Sequence, residues 1–333
     1  MKTKNTSIAP ISVIPNDVDR NPLVSVVIHT FNQKDFISKT IEGALSQKTN
    51  FSFEIILGDD ESNDGTRELC LKYAESNRSL IRLILHNREN VIYFDGMPSG
   101  RFNWVYNMSI ANGKYIALCD GDDYWKDCYK LQKQVDFLET NPDYGLVHTD
   151  VDILDSKNNI QEQYYTSREM KWRSGEVYED LMSVNYAIQT STAVFVRKLV
   201  QDKLLDIDDK LWSFYAGDVP LWLELARLSK IKYIPSVTTC RRHTRPGGLH
   251  IIDSSKRMGF KKSLYECRKY FGDKYFWPAS SQKKSEYWFA NEQIRLGYKI
   301  HQKNEVKSGI LKLISIRQLK IKHLIKYLVS RFF

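Results

Sequence analysis

The sequence lacks long apolar runs and paired cysteines, and each absence argues against a class of protein. Nowhere do about 18 apolar residues follow one another without a charge, so we expect no membrane-spanning helix. The five cysteines are odd in number and show neither a CxxC pair nor zinc-ligand spacing, which favours a reducing compartment. Residues 1–20 are polar and lack the apolar core that a secretion signal needs. We therefore predict a loose leader over residues 1–21 and a cytoplasmic location.

The composition is that of an ordinary globular protein with an excess of positive charge. Its 333 residues are 42% apolar and 12% aromatic, which is ample for one large domain or two smaller ones. The formal net charge of +9 indicates an anionic partner, which could be nucleic acid, a membrane surface or a phosphorylated substrate. Charge alone does not choose among these three.

Apolar runs of strand length alternate with segments of helical periodicity in the first half of the chain. Short apolar runs predict strands at residues 23–28, 53–57, 81–85, 115–118 and 145–148, with a further short element at 232–234. Helical spacing predicts helices over residues 35–47, 66–73, 102–111, 130–139 and 219–228. Residues 152–174 are polar and irregular. The alternation indicates a Rossmann-like α/β fold with a doubly wound, mostly parallel sheet.

Three carboxylates follow the predicted strand at residues 115–118. Asp120, Asp122 and Asp123 would repel one another and resist desolvation unless a cation lay among them. Carboxylate oxygens suit Mg²⁺ or Mn²⁺, which usually share their coordination with the phosphates of a nucleotide. Because open α/β sheets bind ligands at the carboxyl ends of their strands, the position favours a nucleotide-linked substrate. The alternative is a polar turn, in which Gly121 permits the bend and Asp bonds its own backbone.

Further motifs lie at the ends of other predicted elements. They are Thr30-Phe31-Asn32, Asp60, Gly217-Asp218 and Cys240-Arg241-Arg242-His243. Together with Asp120 and Asp122, and spread over roughly Pro22 to His250, they resemble the motifs of family 2 glycosyltransferases with the GT-A fold, of the type that builds bacterial surface polysaccharides. The resemblance implies a GT-A domain at 22–250, with a nucleotide-sugar half at 22–150 and an acceptor half at 151–250, followed by a helical region at 251–333.

The resemblance assigns nucleobase binding to the ends of the first two strands. Thr30, Phe31 and Asn32 would pack against the base, with Phe31 stacked on it, and Asp60 would bind the base edge. Family frequency favours UDP as the nucleotide, so the implied donor is a UDP-sugar. Near this pocket the sequence departs from the family pattern, because His29 replaces a Pro, Gly58 an apolar residue and Glu61 a Gly.

The resemblance also assigns the metal and the diphosphate to particular residues. Asp120 would lie near the ribose and the metal, and Asp122 would bind the Mn²⁺ or Mg²⁺ itself. His243 would bind the metal or the diphosphate, in a motif where Cys240 replaces the usual Tyr. Arginines would offset the phosphate charge, namely Arg241, Arg242, Arg245 and, on weaker grounds, Arg101. The alternative for this stretch is a solvated basic loop.

Asp218 precedes the helix predicted at 219–228 and has two interpretations. The residues alone favour an N-terminal cap, because Asp before a helix with Pro220 in its first turn is a common start signal. The resemblance makes Asp218 the general base of an inverting transfer, which takes a proton from the acceptor hydroxyl as that hydroxyl attacks the anomeric carbon. The implied acceptor is a glycan or a lipid-linked saccharide.

Residues 306–333 form a basic and apolar tail. They include seven Lys and Arg and no acid, and at helical spacing the apolar residues fall on one side of a single helix, with Arg317 the exception. A basic amphipathic helix is typical of a peripheral membrane anchor. Docking of the same face onto the protein is the alternative, and the sequence leaves both open.

Three other classes of function compete with the glycosyltransferase. A metal-dependent nucleotidyltransferase would need a phosphate loop rich in Gly and basic residues after the first strand, where this chain has His29-Thr30-Phe31-Asn32. A basic nucleic-acid or membrane-binding protein without catalysis conflicts with an acidic cleft, which would repel phosphate backbones. A catalytically dead sugar-binding relative conflicts with the presence of both Asp122 and Asp218.

Overall fold

The computed structural model of the chain describes residues 8–94, 96–157, 159–168, 173–184, 186–206, 209–243 and 253–330. Within the described residues, the chain divides into two compact units. The first unit is formed by Met1–Glu176, Ile188–Trp212 and Glu224–Thr244, and the second by Val177–Ala187, Ser213–Leu223 and Arg245–Phe333. Both units are therefore assembled from segments that are not contiguous in the sequence.

The first unit contains the β-structure of the described residues. Its strands are, in chain order, β1 Ser12–Val13, β2 Val24–Thr30, β3 Phe53–Asp59, β4 Ile81–Leu85, β5 Ile92–Phe94, β6 Met97–Ser99, β7 Tyr115–Asp120, β8 Tyr124–Trp125, β9 Tyr144–Asp155, β10 Ile160–Gln161, β11 Val194–Val196 and β12 Lys230–His243. The main sheet has the order β1-β4-β3-β2-β7-β11-β9-β12-β8, with β10 beside β9, and β5 and β6 form a separate hairpin.

The predicted α/β fold is confirmed. Strands β4, β3, β2 and β7 run parallel to one another, as the strand and helix alternation predicted. The sheet is mixed because β11 runs antiparallel to both β7 and β9. Strand β2 is buried along nearly its whole length, with Val24, Val26 and Ile28 fully buried, as expected for a strand covered on both faces.

Helices cover the sheet and build the second unit. They are α1 Lys34–Leu45, α2 Thr66–Ser76, α3 Arg101–Ser109, α4 Lys130–Thr140, α5 Tyr178–Met182, α6 Gln201–Leu205, α7 Asp218–Leu228, α8 Ser254–Lys274, α9 Ala279–Lys299, α10 Lys303–Ser315 and α11 Ile321–Val329. Short 3₁₀ turns include Arg88–Asn90 and Thr190–Thr192.

Gly58 explains one departure from the family pattern. A Cβ at this position would lie 2.0 Å from Nδ2 of Asn107 and 2.2 Å from Oδ1 of Asn103, so a larger residue would push α3 away from β3. The Asn103 amide donates a hydrogen bond of 3.0 Å to the carbonyl of Gly58. The apolar residue that is usual here is therefore replaced by a close polar contact between helix and strand.

Two strands are much longer than the sequence predicted. Strand β9 continues from the expected 145–148 to Asp155, and β12 runs for 14 residues where only 232–234 was expected. Polar residues interrupt the apolar pattern of β9, and most of them are buried. Asp150, for example, accepts hydrogen bonds from the backbone of Val151, Tyr165 and Thr166. The prediction of a loop at residues 240–243 was wrong, because these residues form the end of β12. Arg245 lies outside the described residues.

The single helix predicted for the tail was also wrong. Arg317 has a left-handed backbone with φ of 55°, and it separates α10 from α11. Ala290 and Ile294 of α9 form a hydrophobic cluster with Val306, Ile310 and Leu313 of α10 within the second unit. None of the helices in the described part of the chain is long and apolar enough to cross a bilayer.

Candidate functional site

The residues predicted to bind the nucleotide sugar lie at one edge of the sheet, at the carboxyl ends of the parallel strands β2, β3 and β7. In the register of β2 and β3, Thr30 lies opposite Asp59, and in the register of β2 and β7, His29 lies opposite Asp120. The amide of Asp60 donates to the carbonyl of Thr30 at 3.0 Å. This edge is where open α/β sheets bind ligands.

Hydrogen bonds join the loop after β2 to the loop after β3. Asn32 donates its backbone N–H to the Ser62 hydroxyl at 2.9 Å, and its side-chain oxygen accepts from the backbone of Asn63 at 3.0 Å. The backbone N–H of Gln33 donates to the Thr66 hydroxyl at 2.7 Å. Asn32 is therefore engaged in holding the two loops together, with a left-handed φ of 49°.

Arg88, which the sequence did not identify as a site residue, contacts both Phe31 and Asp60. The guanidinium carbon of Arg88 lies 3.9 Å from the centroid of the Phe31 ring, and its Nη1 lies 3.1 Å from Oδ2 of Asp60. Phe31 is 36% exposed, whereas Asp60 is only 3% exposed. Burial raises the pKa of the Asp60 carboxyl to about 6, and the charge of Arg88 opposes that rise. Arg88 lies in no recognisable motif, so only its position in space identifies it.

The acidic turn after β7 presents Asp120 and Asp122 at the same edge. The Asp120 side chain is 31% exposed, and its Oδ1 lies 3.9 Å from Nε2 of His29. Asp122 is half-buried. Gly121 packs so closely that a Cβ there would lie 2.8 Å from the carbonyl oxygen of His29. The glycine thus lets the turn fold back against the end of β2.

Asp123 is buried and supports the turn. Its Oδ2 accepts a hydrogen bond of 2.7 Å from Ser191, and its Oδ1 accepts one of 3.0 Å from the backbone of Arg242. Burial and the adjacent charge of Asp122 raise the pKa of the Asp123 carboxyl, and the charge of Arg241 opposes that rise. The third acid therefore joins β7, the Thr190–Thr192 turn and the end of β12.

The three basic residues at the end of β12, Arg241, Arg242 and His243, have different surroundings. Arg242 donates from its guanidinium to the carbonyl of Asp122 and packs against the Tyr124 ring at 4.6 Å. Arg241 lies opposite Ile153 in the register with β9. His243 is the last residue of β12 and is half-buried. Arg242, rather than Arg241, makes the direct contact with the acidic turn.

The carboxylates of Asp120 and Asp122 suit a divalent ion that takes the rest of its coordination from a bound ligand. Among the described residues, no group of three or more His, Cys, Asp or Glu side chains is placed to hold a metal ion. Asp120 and Asp122 nevertheless offer hard oxygen donors on one short turn, and Mg²⁺ or Mn²⁺ commonly binds one or two carboxylates together with substrate phosphates. The assignment of metal binding to Asp120, Asp122 and His243 stays a prediction.

Arg101 makes contacts within the protein. It is 6% exposed, and its Nη1 donates to the carbonyl of Trp212 at 2.7 Å. The guanidinium carbon also lies 5.1 Å from the centroid of the Phe94 ring. These contacts assign Arg101 a structural role at the start of α3, and its contact with phosphate stays a prediction.

Asp218 belongs to the second unit, where it is the first residue of α7. Its Oδ1 accepts a hydrogen bond of 2.9 Å from the backbone N–H of Val219. A carboxylate at a helix N-terminus is stabilised by the exposed N–H groups and the helix dipole. The position agrees with a helix-start residue, and the role of general base stays a prediction.

Fold and motifs together define the class of protein. The mixed, mostly parallel α/β sheet with C-terminal helices agrees with the GT-A fold that the sequence predicted. Residues 25–201, more than half of the chain, match the family described as "Glycosyl transferase family 2". The chain therefore belongs to the family 2 glycosyltransferases. This membership favours a glycosyltransferase over the alternatives of a nucleotidyltransferase and a non-catalytic binding protein.

Several known proteins resemble parts of the chain. The uncharacterized protein Rv1520 of Mycobacterium tuberculosis is 30% identical over 181 residues, 54% of this chain and 49% of that protein. WfaP of Escherichia coli, named UDP-Glc:alpha-D-GlcNAc-diphosphoundecaprenol beta-1,3-glucosyltransferase, is 41% identical over 118 residues, 35% of this chain and 42% of WfaP. The alignments thus span about half the length of these relatives or less.

Solved structures show the same fold at low sequence identity. Staphylococcus aureus TarS 1-349 in complex with UDP-GlcNAc has a TM-score of 0.61 and 14% identity, and the match covers 92% of this chain and 88% of TarS. A likeness at this identity shows the fold alone.

Proposed function

We propose that this chain is a metal-dependent inverting glycosyltransferase that moves a sugar from a UDP-sugar to a hydroxyl of a glycan or a lipid-linked saccharide in polysaccharide biosynthesis. The observation that carries the proposal is the convergence of Phe31, Asp60 and the Asp120-Asp122 turn at the carboxyl edge of three parallel strands. An aromatic ring, a carboxylate and two further carboxylates on one edge suit a base, its polar rim and a metal-bound diphosphate.

The similarity to WfaP supports the choice of donor and acceptor class. WfaP is named for a UDP-glucose donor and a diphosphoundecaprenol-linked acceptor, and its identity of 41% exceeds that of Rv1520 over a shorter stretch. We therefore extend the UDP-sugar and the lipid-linked saccharide to this chain as parts of the proposal.

The residues of the chain would divide the chemistry among them. Phe31 would stack on the base, and Asp60 would accept hydrogen bonds from its edge. A bound Mg²⁺ or Mn²⁺, held by Asp120 and Asp122, would supply charge stabilisation to the departing diphosphate. Asp218 would accept the proton of the acceptor hydroxyl as that hydroxyl displaces the nucleotide from the opposite face of the sugar.

The tail supports a position at a membrane surface, where a lipid-linked acceptor would be found. In α11, His323 is buried and Tyr327 is half-buried, whereas Ile321, Ile325 and Leu328 are 78%, 56% and 55% exposed. Helices normally bury their apolar side, and here that side faces solvent. With seven basic residues and no acid in 306–333, an anionic bilayer complements both its charge and its apolar side.

A donor screen tests the proposal directly. We would measure hydrolysis of UDP-, GDP- and dTDP-sugars with Mn²⁺, with Mg²⁺ and with EDTA, using Asp122→Asn as the impaired variant. Asp136→Asn, an exposed acid on α4, serves as the matched control. We expect metal-dependent release of UDP that Asp122→Asn abolishes and Asp136→Asn retains. No turnover of any nucleotide sugar, or equal rates in EDTA, would rule out the proposed reaction.

A further inference from the structure

We propose that Arg88 is a positioning residue of the nucleobase site: it holds the Asp60 carboxylate in its charged form beside the face of Phe31. This inference rests on the proposed function, because it concerns the same donor site. It adds a residue that belongs to none of the family motifs in this sequence.

Arg88 is the one residue in the described donor site that contacts both predicted base-binding side chains. Its guanidinium carbon lies 3.9 Å from the centroid of the Phe31 ring, and its Nη1 lies 3.1 Å from Oδ2 of Asp60. Arginine suits this double contact because its planar group stacks on aromatic rings while it donates hydrogen bonds at its edge. Lysine could supply the charge but not the stacking plane.

Glu61 fixes the turn that carries Arg88. The backbone N–H of Arg88 donates to Oε2 of Glu61 at 2.8 Å, and the turn is capped by Asn87, whose side chain accepts from Glu89. Glu61 has a left-handed φ of 60°, the conformation in which glycine is favoured. At this position the sequence departs from the Gly of the family pattern. The departure thus accompanies a contact to Arg88 that glycine could not make.

The charges around Asp60 make Arg88 its direct counterion. Two acids, Asp59 and Glu61, flank Asp60 and favour its protonated form, and burial acts in the same direction. Two arginines oppose them, but Arg67 is engaged with Asp59 at 2.6 Å. Arg88 alone pairs with Asp60 itself among the described contacts.

Loss of Arg88 should therefore make nucleotide binding depend more strongly on pH. A charged carboxylate accepts hydrogen bonds from the N–H groups on a base edge, whereas a protonated one has lost part of that capacity. With the pKa of Asp60 already about 6, removal of the positive charge moves it upward, towards neutrality. Below the pKa, each unit of upward shift lowers the affinity about tenfold.

Titration of UDP into wild type, Arg88→Met and Arg88→Lys between pH 6 and 8.5, with Mg²⁺ present, tests the inference. The ratio of variant to wild-type Kd cancels the protonation of the phosphates. For Arg88→Met, an upward shift of about one unit in the pKa of Asp60 adds roughly threefold to the Kd at pH 6.5. At pH 8.5 the Kd ratio should fall to the smaller value that lost stacking alone produces in Arg88→Lys. Arg88→Lys should restore the wild-type pH profile, with weaker binding throughout from the lost stacking.

Arg78→Met is the matched control, since Arg78 forms an exposed ion pair with Asp17. It should bind UDP as wild type does at every pH. Tighter or unchanged binding by Arg88→Met, or weakening by the same factor at every pH, would overturn the role of Arg88. If wild type binds neither UDP nor any other nucleoside diphosphate, the proposed function fails instead, so the two failures are distinct.

Discussion

The hydroxyl of Ser191 donates a hydrogen bond of 2.7 Å to the buried carboxylate of Asp123. The same hydroxyl oxygen accepts from the backbone N–H of Asp120 at 3.0 Å. One fully buried serine from the Thr190–Thr192 turn thus holds both ends of the acidic turn. The orientation of Asp120 and Asp122 depends on this brace from a distant part of the sequence.

Ser191→Ala should therefore lower both stability and activity. The substitution leaves a buried carboxylate oxygen and a backbone N–H without this partner, for which we expect a loss of roughly 1–3 kcal/mol in the free energy of unfolding. Urea denaturation measures it, and the rate of UDP release measures the effect on the site. Ser167→Ala, at an exposed serine, is the control and should change neither. A Ser191→Ala protein with wild-type stability would contradict the role of the brace.

His148 should make the protein sensitive to acid. It is fully buried between the rings of Tyr165 and Tyr233, and burial lowers its pKa to about 3 from a usual value of 6.5. In the unfolded state His148 binds a proton below about pH 6.5, whereas in the folded state it does so only near pH 3. The free energy of unfolding therefore keeps its full value above pH 6.5 and decreases as the pH falls towards 3. The slope from one such group is at most about 1.4 kcal/mol per pH unit.

His148→Phe should remove this contribution while it keeps the ring packing. Urea denaturation of wild type and variant at pH 7.5 and pH 5 gives the measurement. We expect the wild type to lose more stability between the two pH values than the variant does. His86, whose pKa burial lowers to about 4, would still act in the variant, so the fall becomes smaller without vanishing. An identical fall in both proteins would show that His148 does not take part.

Local patterns were enough to predict the parallel core and the acidic turn. The β-branched run that forms β2 and the acids that follow β7 are contiguous in sequence, so periodicity and turn chemistry reveal them. Arg88 and Ser191 could not be found in this way, since each acts through a partner at least 28 residues distant. The length of β12 was missed because its residues alternate between polar and apolar without a clear period.

Asp218→Asn tests the general base separately from donor binding. The amide keeps the shape and the hydrogen bond that a helix start requires, but it cannot take a proton from the acceptor. Transfer to an acceptor should fall by about 10² or more, while the Kd for UDP stays within about twofold. Asp253→Asn is the matched control, since Asp253 caps α8 by accepting hydrogen bonds from the backbone N–H groups of Ser255 and Lys256. Equal loss of UDP affinity in Asp218→Asn would show a structural role instead.

The exposed side of α11 should govern attachment to anionic membranes. Ile325→Ser with Leu328→Ser removes two exposed apolar side chains and leaves every basic residue in place. Each of these side chains contributes roughly 1–2 kcal/mol when it enters a bilayer, so the partition into vesicles containing phosphatidylglycerol should fall at least about tenfold. Sedimentation with such vesicles measures the change, and the wild-type partition should also fall as salt rises.

Leu205→Ser and Ile160→Ser are matched controls for this pair, because both residues are exposed apolar side chains outside the tail. They should leave vesicle binding unchanged. If α11 instead docks on protein, the Ile325 and Leu328 substitutions should dissociate an oligomer or lower the melting temperature without an effect on vesicles. Since both side chains are more than half exposed, unchanged folding with lost sedimentation is the outcome that a membrane contact requires.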